Sequence, residues 1–68
     1  LEPEDPTTHY NLACRLCLKG RKADAVKALR AALALGYKDF DWMKHDPDLN
    51  DLSDYSGFLK LLNDLGIT

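Results

Sequence analysis

Apolar residues recur along this chain at spacings of three and four, and no stretch alternates with period two, so the pattern predicts helices and no strands. Leu12, Ala13, Leu16 and Cys17 fall on one helical face. Asp5-Pro6 ahead of them is a start signal, because Asp accepts from the orphan amides and Pro suits the first helical position. Gly20 is the natural stop, and Lys19 sits at the negative end of the helix dipole. A second helix is predicted from Lys22 to Leu35, its inner side made of Ala25, Ala28, Leu29, Ala32, Leu33 and Leu35. Its alanines favour helix and permit close approach to a neighbour, and Gly36 ends it. Asp39 then caps a short turn holding Phe40, Trp42 and Met43, and Asp46-Pro47 repeats the start signal before a turn carrying Leu49 and Leu52. Ser53 or Asp54 is expected to cap a last helix from Tyr55 to Leu65, with Phe58, Leu59, Leu62 and Leu65 as its stripe and Gly66 as its close. The expectation is an all-α domain: a polar lead-in over 1–5, an antiparallel helix hairpin over 6–39, and a segment of short turns and a capping helix over 40–66.

Within that hairpin, Leu12-Ala13, Leu16, Gly20, Ala25, Leu29 and Ala32 keep a fixed register when Pro6 is set as the first position. This register resembles the tetratricopeptide repeat, a helix–turn–helix unit of about 34 residues. His9 stands where that family favours a large apolar residue, and Gly36-Tyr37 replaces its usual closing proline. A single repeat cannot bury its own apolar face, so the rest of the chain must cover it. Gly36-Tyr37-Lys38-Asp39-Phe40, with Asp46-Pro47-Asp48-Leu49 and Phe58-Leu59, resembles the closing segment of bacterial arrays of these repeats. The resemblance implies a fold held by Leu12, Ala13, Ala25, Leu29 and Ala32, and a role in binding other proteins without catalysis. It also implies that the first helix lines a partner groove, with Thr7, Tyr10, Asn11, Cys14, Cys17 and Leu18 facing it. Asn11 takes the place where several members contact a peptide backbone or C-terminal carboxylate, and Arg15, one turn along, supplies a charge. The partner-binding set expected on this basis is Tyr10, Asn11, Cys14, Arg15 and Leu18.

Size and charge refine this picture. The chain has 68 residues, enough for one small domain. It begins at Leu1 rather than Met, so a fragment of a longer protein is expected, and no signal peptide is visible. No apolar run reaches the ~20 residues that span a bilayer. Net charge is −2, distributed as an acidic start, a basic middle rich in Arg15, Lys19, Arg21, Lys22, Lys27 and Arg30, and an acidic end. The expected reading is mutual neutralisation within one fold, ahead of a basic patch for nucleic acid. Two cysteines are too few for a disulfide framework, which points to reduced thiols and a cytoplasmic setting.

Candidate chemistry is thin. Cys14 and Cys17 have a C-x2-C spacing, but on a continuous helix they lack the turn and the further ligands of a zinc knuckle, and they read as small buried hydrophobes. His9 and His45 have no nucleophile or carboxylate at a motif spacing. Asp39, Asp41, Asp46, Asp48, Asp51 and Asp54 contain no Gly and lead to no Glu, so they do not make a calcium-binding loop and read as caps. No catalytic residue, metal or cofactor is assigned. Trp42 and Phe40 are expected to fill the joint between hairpin and cap, with Trp42→Ala costing about 3–5 kcal/mol; the other reading makes them partner anchors. Two functions follow: a protein-interaction module, as the terminal unit of an array or a small adaptor, or a structural cap or self-association domain with no separate ligand.

Overall fold

In the computed structural model, which describes residues 5–66, the elements are α1 (Pro6–Leu18), α2 (Lys22–Ala34), α3 (Phe40–His45), a 3₁₀ helix (Pro47–Leu52) and α4 (Ser56–Leu65). The fold is all-α, with no strand among the described residues. The start signals act as the sequence suggests. The Asp5 carboxylate accepts from Thr7 N–H at 2.9 Å, Asp39 from Trp42 N–H at 3.2 Å and Asp46 from Asp48 N–H at 2.9 Å. Pro6 and Pro47 occupy the first helical positions behind two of these caps.

The first two glycine stops share one mechanism. Gly20 has φ +80° and Gly36 φ +107°, values that side-chain-bearing residues rarely adopt. At the first, Gly20 N–H donates to Cys17 and Arg21 N–H to Leu16; at the second, Gly36 N–H donates to Leu33 and Tyr37 N–H to Ala32. Each is the paired return that satisfies the last carbonyls of a helix and turns the chain back. The first return folds α2 against α1 as a hairpin. The second delivers Tyr37 onto α1, where its ring stacks on Tyr10 with centroids 4.5 Å apart and planes 7° from parallel.

Small residues let the hairpin close. Ala13, Ala25, Leu29 and Ala32 are fully buried between α1 and α2. The 3₁₀ helix packs on α1 through Leu49 and Leu52, and α4 packs on α2 through Phe58, Leu61 and Leu62. Leu29, Met43 and Leu52 are the large side chains at the centre, each contributing about 1.5–3 kcal/mol by leaving water. Arg30 of α2 reaches Asp64 of α4 at 3.4 Å, so part of the basic middle is met by the acidic end.

Several side chains differ from expectation, and rotation about helix axes explains most of them. Leu12 is 46 % exposed, because α1 buries Tyr10, Ala13, Cys14 and Cys17 instead. The covered stripe is turned by one residue, since the 3₁₀ helix packs on the flank opposite Leu12's side. Cys17 is in the core, as its place on the apolar face of α1 suggests, and does not face the groove as the family resemblance implies. Trp42 is 49 % exposed while its neighbour Met43 is fully enclosed, so methionine and not tryptophan fills the joint. Leu59 and Leu65 of α4 stand exposed, and Leu61 takes the inward place. Leu35 lies beyond the end of α2 and is exposed. Neither Ser53 nor Asp54 caps α4: Tyr55 holds the cap position without a side-chain bond, because 53–55 close a turn on Asn50 and Leu52. Of the lead-in, residues 1–4 lie outside the described residues.

Candidate functional site

The segment that leaves α3 creates the one buried charge among the described residues. Asp46 ends α3, starts the 3₁₀ helix and faces back toward α1. One carboxylate oxygen serves its own cap. The other accepts from the Tyr10 hydroxyl at 2.5 Å and from the Cys14 thiol at 3.6 Å, joining residues 36 and 32 positions away. This triad ties the middle of α1 to the entrance of the 3₁₀ helix.

Its electrostatics suppress ionisation of the neighbours. Burial, then the hydrogen bond to Asp46 and its charge, pushes the Tyr10 phenol far up. Burial followed by the Asp46 charge and hydrogen bond raises the Cys14 thiol to about 12. Cys17 is raised too, chiefly by burial and then by Asp51. Both thiols are free and buried. A reactive cysteine needs a lowered pKa and access, and these have neither.

An open groove of about 360 Å³ lies over the triad, lined by Tyr10, Asn11, Cys14, Arg15, Leu18, Trp42, Asp46 and Asp48. All five residues expected to bind a partner therefore line one groove, but in two roles. Asn11, Arg15 and Leu18 are exposed along the α1 wall, whereas Tyr10 and Cys14 are buried at its base and engaged with Asp46. The second wall, Trp42, Asp46 and Asp48, was not part of the expected set. Thr7 is exposed and does not line this groove. The two-aspartate wall had a signal in the Asp46-Pro47-Asp48 run, which reads as a cap alone until Tyr10 is placed against it.

Comparison with known proteins gives no matching family model, curated protein or solved structure.

As for metals, one group among the described residues has converging donors: Cys14 Sγ and carboxylate oxygens of Asp46 and Asp48 lie within 4.8 Å of one another. Cys17 is not in that group, so the C-x2-C pair does not act as a unit. A metal there would have to displace the Cys14 proton that Asp46 holds in place. His45 directs Nδ1 at the Asp41 carbonyl, 2.9 Å away within its own helix, and neither His9 nor His45 joins the donor group. A second, more apolar cleft of about 290 Å³ lies between α2 and α4, lined by Arg30, Leu33, Ala34, Leu61, Asp64 and Leu65. Among the described residues, no helix is long and apolar enough to cross a membrane.

Proposed function

We propose that this chain is a non-catalytic protein-interaction module that receives a peptide segment of a partner in the groove between α1 and the α3–3₁₀ segment. The observation that supports this best is the pairing of an exposed polar row on α1, Asn11 and Arg15, with a half-exposed tryptophan on the facing wall. Tryptophan and arginine are the residue types that dominate binding energy at interfaces. The groove floor is stiffened by the Tyr10–Asp46 bond and the Tyr10–Tyr37 stack, so little ordering is needed on binding. Its thiol is held protonated, which favours binding over nucleophilic chemistry. In this reading α1 and α2 are a tetratricopeptide-like hairpin and 40–66 its closing segment, with the buried alanines at the hairpin interface as support. Free thiols fit a cytoplasmic setting.

Affinity capture from native lysate tests the reading, with wild type beside an Asn11→Ala/Arg15→Ala variant. A partner retained by wild type and lost by the variant is expected; an identical captured set in both refutes it. The second reading, self-association, draws on the exposed Leu59 and Leu65 and the apolar α2–α4 cleft. Light scattering over a concentration series tests it, since a mass that stays monomeric removes it.

A further inference from the structure

The charge at the base of the groove is hydrogen-bonded by neutral donors only, with a second carboxylate, Asp48, beside it and one cation, Arg15, on the α1 wall. Asp46 is 5 % exposed and accepts from a phenol, a thiol and a main-chain amide. The ion pairs between described residues join Arg21 to Asp24 and Arg30 to Asp64, leaving Asp46 and Asp48 out. Buried charges are ordinarily matched by an opposite charge or a metal. Here the groove opens directly over both carboxylates, and the half-exposed Trp42 lines the same wall. A negative wall with an indole face is the chemistry that holds an organic cation.

We propose that the groove receives a lysine or arginine side chain from an extended peptide of a partner protein, its cation facing Asp46 and Asp48 and its methylene stem lying on Trp42. The proposal rests on the interaction reading above and names the occupant. An ammonium or guanidinium donates hydrogen bonds to the carboxylates while leaving the Cys14 thiol protonated. A metal ion bound by the same wall needs that proton removed, against a thiol raised to about 12. The volume, about 360 Å³, also suits a side chain with its backbone rather than a single ion. On the α1 wall, Arg15 and Asn11 then face the peptide's main-chain carbonyls.

The protein has one tryptophan, so Trp42 emission reports directly on this groove. Three blocked peptides serve as probes: acetyl-Gly-Leu-Lys-Leu-Gly-amide and its counterparts with norleucine or glutamate in place of lysine. The lysine peptide is expected to shift Trp42 emission saturably, and about 0.5 M salt is expected to weaken it. Asp48 is exposed and gives the cap its main-chain N–H, so Asp48→Asn retains the fold, checked by circular dichroism. It is expected to weaken the lysine peptide about tenfold, the scale of one partly desolvated cation contact. If norleucine or glutamate binds as well as lysine, the groove reading survives and the cationic occupant is overturned. If none of the three moves Trp42, both are overturned. If Co²⁺ alone gives a thiolate charge-transfer band and displaces the lysine peptide, the wall is a metal site and the proposal is overturned.

Discussion

Replacing Asp46 by alanine tests the geometry on which both fold and groove depend. The substitution removes the acceptor for Asp48 N–H, a cap worth about 1 kcal/mol. It also strands the Tyr10 hydroxyl in the interior, where an unsatisfied donor costs about 1–3 kcal/mol. Removing a buried carboxylate relieves some desolvation and offsets part of that loss. The expected net destabilisation is about 2–3 kcal/mol. Total stability for a chain of 68 residues is about 3–10 kcal/mol, so the effect is a large fraction of the whole. Tyr10→Phe keeps the ring on Tyr37 and removes only the hydroxyl that donates to the carboxylate, for about 1.5–3 kcal/mol. In the double variant no hydroxyl remains to be stranded, so it should cost about 1–2 kcal/mol less than the sum of the single changes. Urea titration followed by circular dichroism measures all four proteins, with midpoints compared at constant slope. Single changes that add within about 0.5 kcal/mol would show that Tyr10 and Asp46 do not interact, and the triad would fall.

Two other outcomes follow from burial and ionisation. Met43→Ala is expected to cost about 2–5 kcal/mol and Trp42→Ala less than about 1.5, because methionine is enclosed and the indole is half in water; equal losses in urea titrations refute the assignment. Stability should fall above about pH 9, because the folded state keeps the Cys14 proton up to about 12 while the unfolded thiol releases it near 9.0. The folded state then binds more protons than the unfolded one, so this thiol lowers stability by about 1.4 kcal/mol per pH unit in that window. Cys14→Ala should flatten the slope between about pH 9 and 10.5 by one proton, and an unchanged slope refutes the burial of that thiol.

How much of this was legible in the sequence depends on how local each signal is. Asp5-Pro6, Asp39, Asp46-Pro47, Gly20 and Gly36 act within four residues of themselves, and each does in the structure what its type and spacing suggest. The small residues Ala13, Ala25 and Ala32 identify the hairpin seam for a similar reason: close approach requires them. Side-chain facing is less local. Leu12 and Trp42 are large residues with apolar surface to hide, yet Ala13, Cys14 and Met43 are enclosed instead. The decision lies in which flank of α1 the 3₁₀ helix covers, and that comes from residues more than thirty positions on. The Tyr10–Asp46 bond belongs to the same class. Nothing near either residue announces it, and it turns two residues expected on a binding surface into the base of the groove.

The position of Asp46 links these levels. A cap residue at the joint of two short helices must face some neighbour, and this one faces α1 at the level of Tyr10 and Cys14. Both carboxylate oxygens are thereby used in holding the fold, and the residue's charge remains at the base of an open groove. Burial, and then that charge with its hydrogen bonds, raises the adjacent thiol and phenol, so the groups best suited to nucleophilic or acid–base work are the ones kept neutral. In the proposed docking, that charge and Asp48 outweigh the single cation Arg15 and favour a cation from outside over an anion. Under the proposed docking, a wall made rigid for stability would also set which partner fits it. Changing Asp46 would alter stability and binding together, whereas changing Asp48 at the rim should alter binding alone.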